Sequence, residues 1–144
     1  MPNPIPQGFG TVTPFLRVAD AAQQIEFLQK AFAAQITFRM NGPDGSLIHA
    51  EVKIGDSMVM IGQAPPNQEM RSMINLYVPD TDALYHSAIA AGATSIREPA
   101  DQFYGDRSGG VRDVSGNEWW MATHIEDVSQ EEMERRMKAM IARA

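Results

Sequence analysis

The fold is decided by two stretches of sequence, TPFLRVAD at residues 13–20 and MINLYVPD at residues 73–80. Each is a short apolar segment that ends in aspartate, and the two lie 60 positions apart. Of the 35 residues from Thr11 to Gly45, seven are identical to the residue 60 positions later. Chance would give about two identities at a residue frequency of roughly 6%. A repeat at a fixed offset predicts two copies of one supersecondary unit. The identical pairs are Leu16/Leu76, Val18/Val78, Asp20/Asp80, Ala31/Ala91, Ala33/Ala93, Ile36/Ile96 and Gly45/Gly105.

The first copy predicts a strand, a helix and three further strands. Asp20 precedes a helical pattern of apolar residues and is a good N-cap. Apolar and polar side chains alternate most clearly over residues 46–54, as expected of a half-buried strand. The predicted strands are residues 11–18, 35–40, 46–54 and 57–62, and the helix follows Asp20.

The second copy repeats this order. Its helix is capped by Asp80 or Thr81 and ends near Gly92, and a last helix begins at Ser129 with Glu132 in a capping-box position. The predicted strands are residues 73–78, 94–97, one within 106–114, and 118–124. The sequence therefore predicts an α+β fold in a single domain, residues 1–144. It consists of two βαβββ modules, about 9–63 and 71–127, and a C-terminal helix, about 129–144.

The composition of the 144-residue chain excludes several classes of function. Cysteine is absent, which excludes disulfides, thiolate zinc sites and a cysteine nucleophile. The net charge of −6 disfavours nucleic acid as a partner. No apolar run approaches the roughly 18 residues that a membrane span needs. We therefore expect a cytoplasmic domain with neither a nucleic-acid nor a membrane partner. The ten methionines are the unusual feature.

Two βαβββ modules in this order resemble the vicinal oxygen chelate superfamily, which includes glyoxalase I, bleomycin-resistance proteins, fosfomycin-resistance enzymes and extradiol dioxygenases. TPFLRVAD is similar to the first strand and helix cap of that group. YGDRSGGVRDVSGNEWWMATHIEDVS, residues 104–129, resembles the signature of its bacterial glyoxalase-like branch. There the turn more often reads Asp-Pro-Phe-Gly-Asn, whereas here Asp113–Asn117 reads Asp-Val-Ser-Gly-Asn. The resemblance also implies a homodimer.

Enzymes of this superfamily hold a divalent metal through His, Glu or Gln side chains on the first and last strands of each module. The repeat places the corresponding positions at Thr13, Met60, Met73 and Trp120. A hydroxyl, two thioethers and an indole are poor ligands for Zn, Ni, Mg or Mn. We therefore predict neither a metal nor another cofactor.

Strand alternation predicts which side chains line the concave sides of the sheets. This lining is apolar with a few polar groups, which is typical of small-molecule pockets. The opposite faces, which include Val12, are predicted to pack on the helices. The predicted ligand-binding residues are Thr13, Phe15, His49, Glu51, Met58, Met60, Met73, Asn75, Tyr77, Trp120 and His124, together with Arg107.

Two features have alternative interpretations. Arg107 either binds a carboxylate or phosphate group or pairs with Asp106 or Asp113 to shape a loop. The last helix carries an apolar stripe that packs either on its own sheet or on a partner subunit. The stripe consists of Met133, Met137, Met140 and Ile141.

His86 is expected at the surface.

The leading functional hypothesis is a metal-free glyoxalase/bleomycin-resistance-like protein that binds or sequesters a small molecule in a Met/Trp-lined cleft. His49, Glu51 and Tyr77 are its polar anchors, and the acidic net charge favours cationic ligands. The first alternative is a glyoxalase-type lyase or isomerase that uses another metal ligand set or a His49/Glu51 acid–base pair. The second is a structural or regulatory dimer whose cleft is filled.

Overall fold

The first module forms one four-stranded sheet, called sheet A. A computed structural model describes residues 1–144. The strand order of sheet A is β1-β4-β3-β2, with β1 parallel to β4 and the other neighbours antiparallel. Its elements are β1 (Phe15–Val18), α1 (Ala21–Phe32), β2 (Gln35–Asn41), β3 (Leu47–Ile54) and β4 (Ser57–Gln63).

The second module forms sheet B, which has the equivalent order β5-β8-β7-β6. Here β5 is parallel to β8, and the other pairs are antiparallel. The predicted α+β fold of two βαβββ modules with a C-terminal helix is confirmed. The elements are β5 (Met73–Tyr77), α2 (Thr81–Ala90), β6 (Thr94–Asp101), β7 (Asp106–Arg112), β8 (Glu118–His124) and α3 (Gln130–Arg143).

The repeat is visible at the two helix starts. The side chain of Asp20 accepts a hydrogen bond from the backbone N–H of Gln23, and Asp80 accepts one from Ala83, each at 3.0 Å. Each aspartate thereby satisfies a backbone donor that the first helical turn leaves without a partner. Asp80 rather than Thr81 is thus the cap of α2, and both predicted helix starts are confirmed.

The structure corrects the predicted bounds of two strands. The first was predicted from Thr11, but β1 begins at Phe15, directly after Pro14, which has no N–H for a strand ladder. Val12, predicted to pack on the helices, is 86% exposed. The strand predicted at residues 94–97 instead continues to Asp101, with register shifts along its pairing with β7.

Both modules share one hydrophobic core on the helix side of their sheets. Helices α1 and α2 pack against each other, and the rings of Phe32 and Trp119 approach to 5.0 Å between centroids across the module boundary. The opposite faces of the sheets point away from this core. We call them outer face A (Phe15, Phe38, His49, Glu51 and Met60) and outer face B (Met73, Asn75, Tyr77, Arg97 and Trp120).

A buried carboxylate, Asp113, joins the two modules. One of its oxygens accepts hydrogen bonds from the Gln24 side chain of α1 at 2.9 Å and from the indole N–H of Trp119 at 2.8 Å. The other oxygen accepts the backbone N–H groups of Ser115 and Asn117. The same carboxylate therefore fixes the β7–β8 turn and attaches α1 to sheet B.

Helix α3 extends from the second module with none of its residues buried. Met133 is half-buried, but Met137, Met140 and Ile141 are 44–67% exposed, and α3 packs on no strand of either sheet. Packing of the whole stripe on its own sheet is therefore wrong. Arg136 ties the helix down by donating to the backbone oxygen of Phe103 at 3.0 Å and by pairing with Glu126. None of the three helices is long and apolar enough to cross a membrane.

Replacing Asp113 tests its role in joining the modules. Asp113→Ala leaves buried donors on Gln24 and Trp119 without an acceptor, so we expect the free energy of unfolding to fall by about 3 kcal/mol or more. Urea denaturation measures this change. Asp44→Ala is the matched control, because Asp44 bonds only locally to Ser46 in an exposed turn, and we expect it to cost about 1 kcal/mol or less. Equal losses in the two variants would contradict the assignment.

Candidate functional site

Strand register brings four of the large side chains of outer face A together. Phe15 on β1 lies beside Met60 on β4, Met60 lies beside Glu51 on β3, and Glu51 lies beside Phe38 on β2. Phe15 and Phe38 are 50% and 47% exposed. The face thus presents aromatic rings and a thioether outward around a central carboxylate.

A histidine and a glutamate form a polar pair at the centre of outer face A. The Nε2 atom of His49 lies 3.5 Å from an Oε atom of Glu51, and both side chains are about one-fifth exposed. The imidazole centroid lies 5.9 Å from that of Phe15 and 6.1 Å from that of Phe38. The pair therefore lies between two aromatic rings but remains reachable from solvent, as a polar anchor for a ligand requires.

Outer face B carries Trp120 in a row of residues that crosses the sheet. Register places Asn75, Trp120, Gly110 and Arg97 side by side on β5, β8, β7 and β6. The indole N–H donates to Glu118 at 3.1 Å. Tyr77, one of the predicted ligand-binding residues, lies in the next row on the same face.

On both outer faces an aromatic ring lies over a glycine. A Cβ atom at Gly62 would be 2.7 Å from the ring of Phe15, and one at Gly110 would be 2.6 Å from the ring of Trp120. Side chains at these two positions would displace the rings. The glycines therefore leave room for both rings to lie close against their sheets.

A hydrogen-bonded chain of side chains closes one end of outer face B. Asp106, which is buried, accepts from the Tyr77 hydroxyl at 2.8 Å and lies 2.9 Å from Nδ1 of His124. The other imidazole nitrogen of His124 lies 2.7 Å from Asp127. The hydrogen bond to Asp106, which has the larger effect, and the one to Asp127 raise the pKa of His124 above its usual value. The hydrogen bond from Tyr77 to Asp106 raises the pKa of Tyr77.

Three of the predicted ligand-binding residues lie elsewhere than expected. Thr13 precedes β1 rather than lying within it, and Met58 is buried. Arg107 already binds carboxylates through its guanidinium, but its partners are Asp82 at 2.6 Å and Asp101 at 3.0 Å rather than Asp106 or Asp113. Of its two alternatives, the structure shows the ion pair. This pairing lowers the pKa of Asp82.

The four positions that correspond to metal ligands do not form one site within the chain. Thr13 and Met60 belong to the first module, whereas Met73 and Trp120 lie on outer face B, and no strand pairing joins the two sheets. Their hydroxyl, thioether and indole groups do not suit a divalent metal. No three His, Asp or Glu side chains of the chain converge as a metal-binding group.

A cavity of about 940 Å³ lies between the modules, on the free side of β5. Apolar side chains of β5, α2 and the β3–β4 hairpin line it, among them Leu76, Leu84 and Met58. Asn75 and Tyr77 also reach it from β5. Its volume is that of a small-molecule site, but it contains neither Met60 nor Trp120.

The sequence interpretation missed Phe38, Arg97 and Asp106 as members of the outer faces. Phe38 and Arg97 lie on strands whose pairing contains register shifts, so simple alternation does not place them reliably. Asp106 begins β7, the strand that the sequence placed only somewhere within residues 106–114.

The fold and these faces define a glyoxalase-like α+β protein. Residues 8–121 match the Glyoxalase/Bleomycin resistance protein/Dioxygenase superfamily, and the chain belongs to that family. An uncharacterized protein of Mycobacterium bovis is 36% identical over 140 residues, covering 89% of this chain and 92% of its own length. An uncharacterized protein of Mycobacterium tuberculosis is equally similar, over 82% of its own length.

Solved structures show the same fold at lower sequence identity. TioX from Micromonospora sp. ML1 is 23% identical, with a TM-score of 0.70, over 81% of this chain and 99% of its own. FosX from Listeria monocytogenes, a fosfomycin resistance protein, is 17% identical, with a TM-score of 0.60, over 86% and 97%. At these identities the likeness concerns the fold alone.

The chain of hydrogen bonds at His124 predicts a pH-dependent contribution to stability. Because the folded pKa of His124 is raised above 6.5, its contribution is fully present below about pH 6.5 and is lost as the pH rises through the folded pKa. We expect the unfolding free energy of the wild type to decrease relative to that of His124→Gln across this range.

NMR titration of the His124 ring measures the pKa directly. Asp127→Asn removes one carboxylate from a fully exposed position and should lower this pKa without unfolding the chain. A pKa at or below 6.5 in the wild type would contradict the hydrogen-bonded arrangement.

Proposed function

We propose that the protein binds a small molecule without a metal, at a site formed by outer face A and outer face B in a homodimer. The observation that carries this proposal is the exposure of large apolar side chains around the His49/Glu51 pair. Contiguous exposed apolar surface of this kind marks a binding site. Phe15, Phe38 and Met40 near this pair on sheet A are 44–50% exposed, and Met73 and Tyr77 on outer face B are 68–70% exposed.

The residues of the two faces suit sequestration better than metal chemistry. Flat aromatic rings and thioethers provide adaptable apolar contact, and His49, Glu51 and Asn75 offer hydrogen-bonding groups that fix a ligand's orientation. Binding of this kind requires no charged metal centre. The donor groups at the four family positions support a metal-independent site.

A second copy would complete the site. In one chain the outer faces point away from the shared core and do not enclose a ligand between them. A twofold dimer repeats each contact, so that outer face A of one chain can meet outer face B of the other twice. The exposed apolar stripe of α3 offers further surface that a second copy would cover.

Acid–base catalysis is the second candidate function, and the His49/Glu51 pair favours it. A carboxylate within 3.5 Å of an imidazole can orient the ring and support proton transfer to or from a bound ligand. This reading predicts that Glu51→Gln abolishes turnover of a bound carbonyl compound while leaving binding intact. If the wild type shows no turnover and Glu51→Gln loses binding, the result favours the sequestration function.

A ligand screen with matched variants tests the proposed function. Thermal unfolding with a library of metabolites and drugs should reveal compounds that raise the Tm. Phe38→Ala should lower the affinity for such a compound about tenfold, because it removes an exposed ring of outer face A. Leu84→Ala, which alters the cavity beside β5 instead, should leave the affinity unchanged.

Metal addition provides the complementary measurement. Zn, Ni, Mn and Mg should each leave the Tm unchanged, and metal analysis of the purified protein should find no stoichiometric ion. A bound metal would contradict the proposal. Dimers that bind no compound would instead favour the structural role, and loss of binding in Leu84→Ala alone would move the site to the cavity.

A further inference from the structure

We propose that Arg97 on outer face B recognises an anionic group, so that the ligand is an apolar organic carboxylate. This inference rests on the proposed function and specifies the ligand class of the same site. It reverses the preference for cations that the acidic net charge predicts. Salt screens the field of the net charge beyond about 8 Å. A guanidinium in the site contacts the ligand directly and is not screened in this way.

The guanidinium of Arg97 is held in place by neutral groups. One terminal nitrogen donates to the hydroxyl of Ser108 at 3.1 Å, and Ser108 is itself buried. The Cζ atom lies 4.9 Å from the centroid of the Trp120 ring, where the indole face attracts a cation. These contacts orient the side chain without neutralising its charge.

Arg97 differs in this respect from the other arginines of sheet B. Arg107 pairs with Asp82 and Asp101, and Arg112 pairs with Glu118 at 3.3 Å. No carboxylate of the chain lies within ion-pairing distance of Arg97. Since a guanidinium carries five N–H donors, most of those on Arg97 remain available to a ligand carboxylate, which it can bind through two parallel hydrogen bonds.

Trp120 supplies the apolar surface beside this charge. Its ring lies close over Gly110, and its N–H is engaged by Glu118, whose own charge is balanced by Arg112. Tyr77 and Met73 lie in the neighbouring rows of the same face and are 68% and 70% exposed. A carboxylate bound by Arg97 would therefore place an attached apolar body against exposed apolar surface.

Three probes of similar shape and different charge test the proposal: 2-naphthoate, naphthalene-2-carboxamide and 2-naphthylmethylammonium. Isothermal titration of the 144-residue chain should show naphthoate binding about tenfold more tightly than the carboxamide and more tightly than the ammonium. Arg97→Met should remove this difference, and Arg97→Lys should restore part of it. Arg143→Met, which changes the net charge equally at the end of α3, should leave it unchanged.

Each of the other outcomes overturns the proposal in a distinguishable way. Equal binding of the three probes, or an unchanged preference in Arg97→Met, overturns the anion preference but leaves the small-molecule function standing. Failure of all three to bind overturns the carboxylate proposal, whereas the ligand screen described above decides the small-molecule function. Light scattering and circular dichroism on Arg97→Met complete the test. If the folded variant loses its dimer, Arg97 pairs with a carboxylate of a second copy, and the ligand proposal is wrong.

Discussion

The carboxylate of Asp113 is the interaction on which the arrangement of the two modules depends. It accepts hydrogen bonds from α1, from the indole of Trp119 and from its own turn, so one buried group orders parts of both modules. A buried carboxylate with four donors is stabilising only while all of them remain in place. By holding the helix-covered sides of the two sheets together, it leaves both outer faces outside the core. The functional proposals depend on the exposure of these two faces.

Much of the fold was predictable because the sequence contains the same βαβββ unit twice. Asp20 and Asp80 end equivalent strands and cap equivalent helices, so each supports the assignment of the other. Strand parity then placed His49, Glu51, Met60 and Trp120 on the faces that the structure shows. The start of β1 was not predictable in the same way, because the alternation of residues 11–18 continues through Pro14, which cannot donate to a ladder.

The arrangement of the modules lay beyond the sequence pattern. Alternation states which side of a strand a residue occupies, but not which sheets face each other. That choice depends on contacts between distant residues, such as Gln24 with Asp113 and Phe32 with Trp119, which no local pattern encodes. Arg97 was missed for a related reason, since register shifts on β6 interrupt the alternation. Its isolation became apparent only once the partners of Arg107 and Arg112 were known.

We propose that the two outer faces, and not the cavity beside β5, form the ligand site. A crystal structure of the protein with a bound compound tests this most directly. We predict that the compound lies between Phe15 and Met60 of one chain and Trp120 of a second, with no metal ion among its contacts. A compound bound among Leu76, Leu84 and Met58 in a single chain, or a metal ion between the modules, would contradict the account.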